Sequence, residues 1–424
     1  MQPSDFKVAI VGGGIGGLAC ALSLAHHCPG LKLDVYEQAE QYSEIGAGVG
    51  IAVNATKILH RLGVGKEANA ISGERNGVHR SMKRWDDGGE IVTIGAGFDK
   101  GDIKQLSVHR AELLEVLFNA VKERGIANLH VNKRCVGVKD AGDKVIISFE
   151  DGTEADANFV VGCDGIHSRI RGQFMPDKPR YSGRIVYRGL LPLADAKEFW
   201  PYDSYAVSWL GKDKHFLVFP ISQNKTLNVV GFVTKPLEEL GDLKESWSTT
   251  APREEIEKEY EDWDPTVLKV IKCMQPRPGK WLLNDRELLS QWVYFDGKLA
   301  LLGDAAHAML PHQGSGAGHA IEDGYILGKA LQDFFKDSEA GKTDLTTWTH
   351  VYQNVRLPRA QKAQITSRQA GEVYEMQGEA FKGLTFDECL PIVAEKLKTR
   401  MNWVWGADID AEYDAVVKGA GLRE

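Results

Sequence analysis

The sequence predicts an α/β protein in which a Rossmann-like domain is interrupted by an inserted antiparallel sheet and followed by a helical C-terminal segment. Three observations predict it. Apolar runs at 6–11, 31–36, 159–163 and 298–302 have the length and continuity of strands buried on both faces. The first of them meets Gly12-Gly13-Gly14-Ile15-Gly16-Gly17 and then an apolar helical stretch. Between 180 and 234 the pattern changes to period two, with polar turns between the runs.

The first run, the glycine turn and the helix form a Rossmann-like strand, turn and helix. Gly12 permits the tight turn, Gly14 lets backbone approach a pyrophosphate, and Gly17 lets helix and strand pack closely. The helix N-terminus offers unpaired N–H groups and partial positive charge to phosphates. Glu37, twenty residues beyond Gly17, ends the second strand, where a carboxylate can accept hydrogen bonds from ribose hydroxyls. A glycine-dense loop at 44–51 leads into a helix at 54–62, its glycines suited to backbone lying against a flat ligand. Arg110 stands where a polar segment meets a helix at 111–124. The helix dipole disfavours a cation there, which points to a phosphate or ribose partner.

Strands are predicted at 129–138 and 144–149, and the run 159–163 leads into a second acid-glycine pair, Asp164-Gly165. Period-two strands follow at 184–191, 205–210, 215–221 and 227–233, then two helical pieces within 254–273, the second entered through Asp264-Pro265. The run 298–302 returns to the first theme and ends in Gly303-Asp304-Ala305-Ala306-His307. Pro311-His312-Gln313-Gly314-Ser315-Gly316-Ala317-Gly318 and a helix at 319–335 come next. From 344 onward the reading is helical, with Trp403 and Trp405 near the end. The expected domains are 1–75, 100–180 and 285–340 for the nucleotide-binding part, 76–99 and 181–284 for the inserted part, and 341–424 for the helical segment.

At 424 residues, more than one core is expected. A formal charge of −8, from 51 basic and 59 acidic residues, supplies no basic face for nucleic acid. Cys20, Cys28, Cys135, Cys163, Cys273 and Cys389 are scattered without C-x-x-C spacing, as in buried thiols of a reducing compartment, and no metal site is expected. No run reaches bilayer length. The expectation is a cytoplasmic protein with no membrane or nucleic-acid partner, a monomer or homodimer.

Three glycine-and-acid signatures, GGGIGG, CDGIHSRIR and GDAAHAMLPHQGSGAG, each follow an apolar strand. In this the sequence resembles the FAD-dependent aromatic hydroxylases of the para-hydroxybenzoate hydroxylase type. The VHR segment at Arg110, the run at His312 and the Trp-rich end look most like salicylate hydroxylases. The resemblance implies that Gly12, Gly14, Gly17, Glu37 and Arg110 hold the ADP half of FAD. Asp304 would bind the ribityl chain, Gly316, Ala317 and Gly318 would face the isoalloxazine, and Asp164 and Gly165 would serve FAD and the pyridine nucleotide. It further implies reduction by NADH or NADPH, capture of O2 as a flavin C4a-hydroperoxide, and attack on an aromatic ring. For a salicylate-type substrate the products would be catechol and CO2. His312 and His215 are the candidate base or proton relay. Arg84, Tyr187 and Arg188 are candidate partners of a substrate carboxylate. Another phenol, a hydroxypyridine carboxylate, a polyketide or a flavoprotein dehydrogenase remain open alternatives.

Overall fold

A computed structural model gives the fold and describes residues 2–42, 48–202, 204–241, 249–341 and 344–423. The first half of the predicted glycine-dense loop, 44–47, lies outside the described residues, whereas Gly48–Ile51 is a strand paired antiparallel with Leu106–His109.

The buried apolar runs assemble side by side. A six-stranded sheet has the order Val293–Tyr294, Leu299–Leu301, Phe159–Gly162, Lys7–Val11, Lys32–Tyr36 and Asn128–His130, parallel throughout except at its first pair. The first helix, Ile15–His27, lies against the late helix Gly316–Glu339. The two come close because Gly324 presents no side chain: a Cβ there would stand 2.8 Å from Cys20 Cα. The segment 129–138 is not one strand. Asn132 turns at φ 55°, so Asn128–His130 ends the main sheet while Cys135–Asp140 joins a separate three-stranded antiparallel sheet.

The period-two segments form a seven-stranded sheet ordered Gly279–Asp285, Arg180–Pro192, Thr226–Thr234, Lys214–Ile221, Ala206–Gly211, Val78–Arg84 and Glu90–Gly95. The predicted antiparallel pairing needs one correction. Ala206–Gly211 and Val78–Arg84 run parallel, because the two come from distant chain segments with no hairpin between them. One face packs Tyr187, Trp209, Phe216 and Val229 against the helices Arg253–Glu259 and Pro265–Cys273. The opposite face carries Val186, Val230, Phe232, Trp281 and Leu283, which with Leu310 make an apolar cluster turned toward the first domain.

The long helix Leu345–Tyr374 runs across both parts. Its Tyr374 and the later residues Leu397, Met401 and Trp405 reach the space between the two sheets.

Candidate active site

The space between the sheets is a cavity of about 1430 Å³. That exceeds the ~300–1,000 Å³ typical of one drug-sized ligand, leaving room for a dinucleotide and a small second molecule. One end is built from the three glycine-and-acid turns. Gly12 has φ +111°, and a Cβ there would lie 2.2 Å from the Cys163 carbonyl oxygen, so only glycine allows the first and middle strands to end side by side. Gly17 is required by contact alone, its would-be Cβ falling 2.0 Å from the Gly12 oxygen. Gly14 is the N-cap of the first helix and lines the cavity.

Glu37 accepts hydrogen bonds from the N–H groups of Gly13 at 2.8 Å and Ala39 at 2.9 Å. These two bonds fix the carboxylate at the cavity wall and leave it acceptor capacity toward a hydroxyl. Arg110 begins the helix Arg110–Glu123 and also lines the wall. Asp164 accepts from Ser168 Oγ at 2.5 Å and from Arg169 N at 2.7 Å, holding the short helix Arg169–Phe174 at the cavity edge. Burial raises its carboxyl above the ordinary value. Asp304, Gly316 and Ala317 line the cavity; Gly318 does not, facing Ala55 of the neighbouring helix. One helical step separates lining from packing positions.

A buried ionic layer holds this end in place. Arg356 donates from Nε to Asp323 at 2.8 Å and from Nη1 to Glu322 at 2.6 Å, and Arg359 donates to both oxygens of Glu322 at 2.9 Å. Asp323 in turn accepts from Gly303 N at 3.0 Å and pairs with His307 at 2.6 Å. The pair thus fixes the turn that carries Asp304 and the start of the late helix. Sequence reading missed it, although Glu322-Asp323 and two arginines three apart on one helix were its signal.

The other end of the cavity is apolar, walled by Val186, Val230, Phe232, Leu217, Trp281 and Met82. His312 sits there, 3% exposed, its ring 5.2 Å from that of Phe232 and 6.1 Å from that of Tyr374. Neither ring nitrogen has a hydrogen-bond partner among the described residues. Burial, aided by the charges of His215, Arg184, Arg80 and Arg368, holds its pKa well below the usual imidazole value. His312 is therefore neutral near pH 7, with one nitrogen able to accept.

Three candidates are corrected by the sheet's geometry. Tyr187 and Arg188 are neighbours on one strand, so only one can face the cavity. Arg188 does, over the Trp281 ring at 4.6 Å, while Tyr187 points away and donates to Glu255 at 2.7 Å. Arg84 lies at a strand end outside the cavity wall, paired with Asp387 at 2.6 Å and Asp86 at 2.8 Å and resting on Phe386. His215 is 2% exposed and does not line the cavity. It pairs with Glu375 at 2.9 Å and stacks on Phe232 at 4.1 Å, so its place is behind His312 at a ring separation of 5.4 Å. Arg184 and Thr234 also bind Glu375, at 2.8 and 2.6 Å.

Over residues 5–366 the chain matches the family described as FAD binding domain. It is 33% identical to a salicylate hydroxylase of Pseudomonas putida, over 96% of this chain and 93% of that one. A 3-amino-4-hydroxybenzoate 2-monooxygenase of Streptomyces platensis is 31% identical over 94% and 96% of the two chains. The solved structure titled salicylate hydroxylase substrate complex superposes with a TM-score of 0.81 at 28% identity, covering 97% of this chain and 98% of the other. The chain belongs to the FAD-dependent aromatic monooxygenases.

Its cofactor is FAD, with NADH or NADPH as reductant. The side-chain-free cradle at Gly12 and the helix N-termini at Gly14 and Gly316 fit that group. Among the described residues of this monooxygenase no helix is long and apolar enough to cross a membrane, and no cluster could hold a metal ion.

Two predictions arise here. A Cβ on Gly371 of the long helix would fall 2.6 Å from His312 Nε2. Gly371→Ala favours the helix by about 1 kcal/mol yet must push the imidazole aside. Turnover is expected to drop by about tenfold or more, as misplacement of a reacting group does, with the melting temperature unchanged or raised. Steady-state kinetics beside thermal melts check this split.

The second concerns pH. Burial lowers His319 to about 3 and His27 to about 4, and also lowers His79, His215 and His312. Between these folded values and the unfolded value of about 6.5, the unfolded chain binds more protons, so stability falls as pH drops below about 6.5. Asp323, lowered to about 2, and Glu375 add a further loss once their unfolded values are reached, while Asp99 and Asp164, raised by burial, oppose it in the same range. A melting temperature that rose between pH 7 and pH 5 would contradict this assignment.

Proposed function

We propose that this monooxygenase hydroxylates a small aromatic acid, and that its substrate is of the salicylate type, converted to catechol and CO2 with NADH or NADPH and O2. The observation that carries the reading is one chamber holding a buried imidazole with neither nitrogen hydrogen-bonded among the described residues, apolar walls, and cationic side chains at its rim. Gly12, Gly14, Glu37, Arg110, Asp164, Asp304, Gly316 and Ala317 would seat FAD, with Gly17 packing behind them. FAD, when bound, supplies the electron carrier that takes a hydride from the nicotinamide and activates oxygen.

The rest is done by this chain's residues. Val186, Val230, Phe232, Leu217 and Trp281 exclude water and clasp the ring. His312 accepts the phenolic proton at an unpartnered ring nitrogen, enriching the ring where oxygen is delivered. Its basicity rises when substrate enters, because an aromatic carboxylate brings negative charge beside Arg80, which has no carboxylate partner among the described residues. His215, Glu375 and Arg184 position it from behind. The names of the relatives agree with an aromatic acid as the shared substrate class.

A panel of aromatic acids with product identification tests the proposal. Catechol and CO2 formed one to one from salicylate support it. Nicotinamide oxidation that yields only peroxide with every hydroxybenzoate overturns it.

A further inference from the structure

Three arginines that sequence reading did not name line the chamber. Arg80 donates from Nη1 to Tyr374 Oη at 3.2 Å, and its Nε is buried with no hydrogen-bond partner among the described residues. Arg75 hydrogen-bonds Ser107 Oγ and contacts His79. Arg400 reaches the Thr366 carbonyl, and its Nε too has no partner. All three line the cavity. None is ion-paired with a carboxylate among the described residues, whereas the nearby Arg286, Arg368 and Arg184 each have one.

Buried cations are costly unless a counter-charge meets them. Burial drives Arg75 down to about 10 and lowers Arg400, with Asp99 and Glu372 opposing only weakly from a distance. The arrangement is complete only with an anion.

The position of that anion follows from the sheet register. On the cavity face, Arg188 is opposite Val230, which is opposite Leu217, and Leu217 is opposite Ser208 beside Met82. Arg188 thus stands at one edge of the apolar floor and Arg80, two residues before Met82, at the other. Arg188 faces Arg110 on the nucleotide side. Arg80 faces His312: Tyr374 Oη accepts from Arg80 and donates to the His312 carbonyl at 3.0 Å. One phenol links the free guanidinium edge to the loop that carries the imidazole.

We propose that Arg80 is the residue that binds the substrate carboxylate, with Tyr374 setting its distance from His312. This rests on the aromatic-acid reading above. A carboxylate on Arg80 and an adjacent phenol on His312 match an ortho-hydroxy acid, so the pair selects for that substitution pattern.

The test uses FAD-loaded full-length protein and the perturbation of flavin absorbance on titration with salicylate, with its neutral analogue salicylamide, and with the other monohydroxybenzoates. Wild type is expected to prefer salicylate. Arg80→Ala should weaken salicylate by about 10- to 100-fold while changing salicylamide by less than about threefold, and Arg80→Lys should recover part of the loss. Tyr374→Phe should weaken salicylate and narrow its advantage over the meta and para isomers. Arg84→Ala, outside the cavity, should change nothing. Retention of wild-type salicylate preference by both Arg80 variants, with FAD content intact, overturns the assignment to Arg80. If wild type binds none of the aromatic acids, the function reading itself fails and the assignment falls with it.

Discussion

Replacing His312 by alanine is expected to lower kcat by about 10²- to 10⁴-fold, the range of a positioned acid–base group, with FAD content unchanged. The expectation rests on placement. The imidazole is almost fully buried and lines the cavity with neither nitrogen hydrogen-bonded among the described residues, while its backbone is held by Tyr374 and its ring by Phe232 and His215. A group so oriented loses little on substrate binding and can act in the first collision with the phenol. Among the described residues no carboxylate contacts it to raise its basicity, and the charges of Arg184, Arg80 and Arg368 act against its protonation. Its ability to accept a proton thus depends on the substrate's own charge, and a neutral phenol should show a smaller His312 effect than an acid. Single-turnover and steady-state rates for both variants and both substrates measure this. Turnover of His312→Ala within about threefold of wild type at saturating substrate would remove it from the reaction.

The second large effect is structural. Among the described residues, Arg356→Ala leaves Asp323 with His307 and the Gly303 N–H alone, and deprives Glu322 of one of two guanidinium partners, all at sites with no solvent access. Removing one partner of a buried ionic set costs about 3–5 kcal/mol. The loss should appear in FAD affinity as well as in melting temperature, since Asp323 holds the Gly303 turn next to Asp304 and Glu322 receives Asn54 from the helix beside Gly318. Titration of apoprotein with FAD, read beside thermal melts of apo and loaded forms, separates the two. Wild-type melting in both forms would show that the ionic layer is dispensable.

How far the sequence reached depended on the range over which each feature is encoded. The glycine turns are local: Gly12 needs a positive φ and a close neighbour, and Gly17 needs contact, so their spacing announces them. The strands of the inserted sheet were legible because their alternation is a local pattern as well. That same alternation argued against choosing both Tyr187 and Arg188, since adjacent residues of a strand face opposite ways.

The chamber's contents belong to another category. Arg80 stands 294 residues before Tyr374, with Arg400 further on still, and each looks like an ordinary surface or core residue in its own segment. Arg84 and Arg80 are two strand steps of the same parity apart, yet one ends among Asp86, Asp87 and Asp387 and the other beside His312; only the position along the strand separates them. The sequence by itself determined the nucleotide turns and the two kinds of sheet, because backbone conformation and burial on one or two faces leave a periodic mark along the chain. Only the tertiary structure decided which arginine and which histidine share the chamber, because convergence of distant segments depends on how whole sheets and helices pack, and packing leaves no mark in the spacing of neighbours.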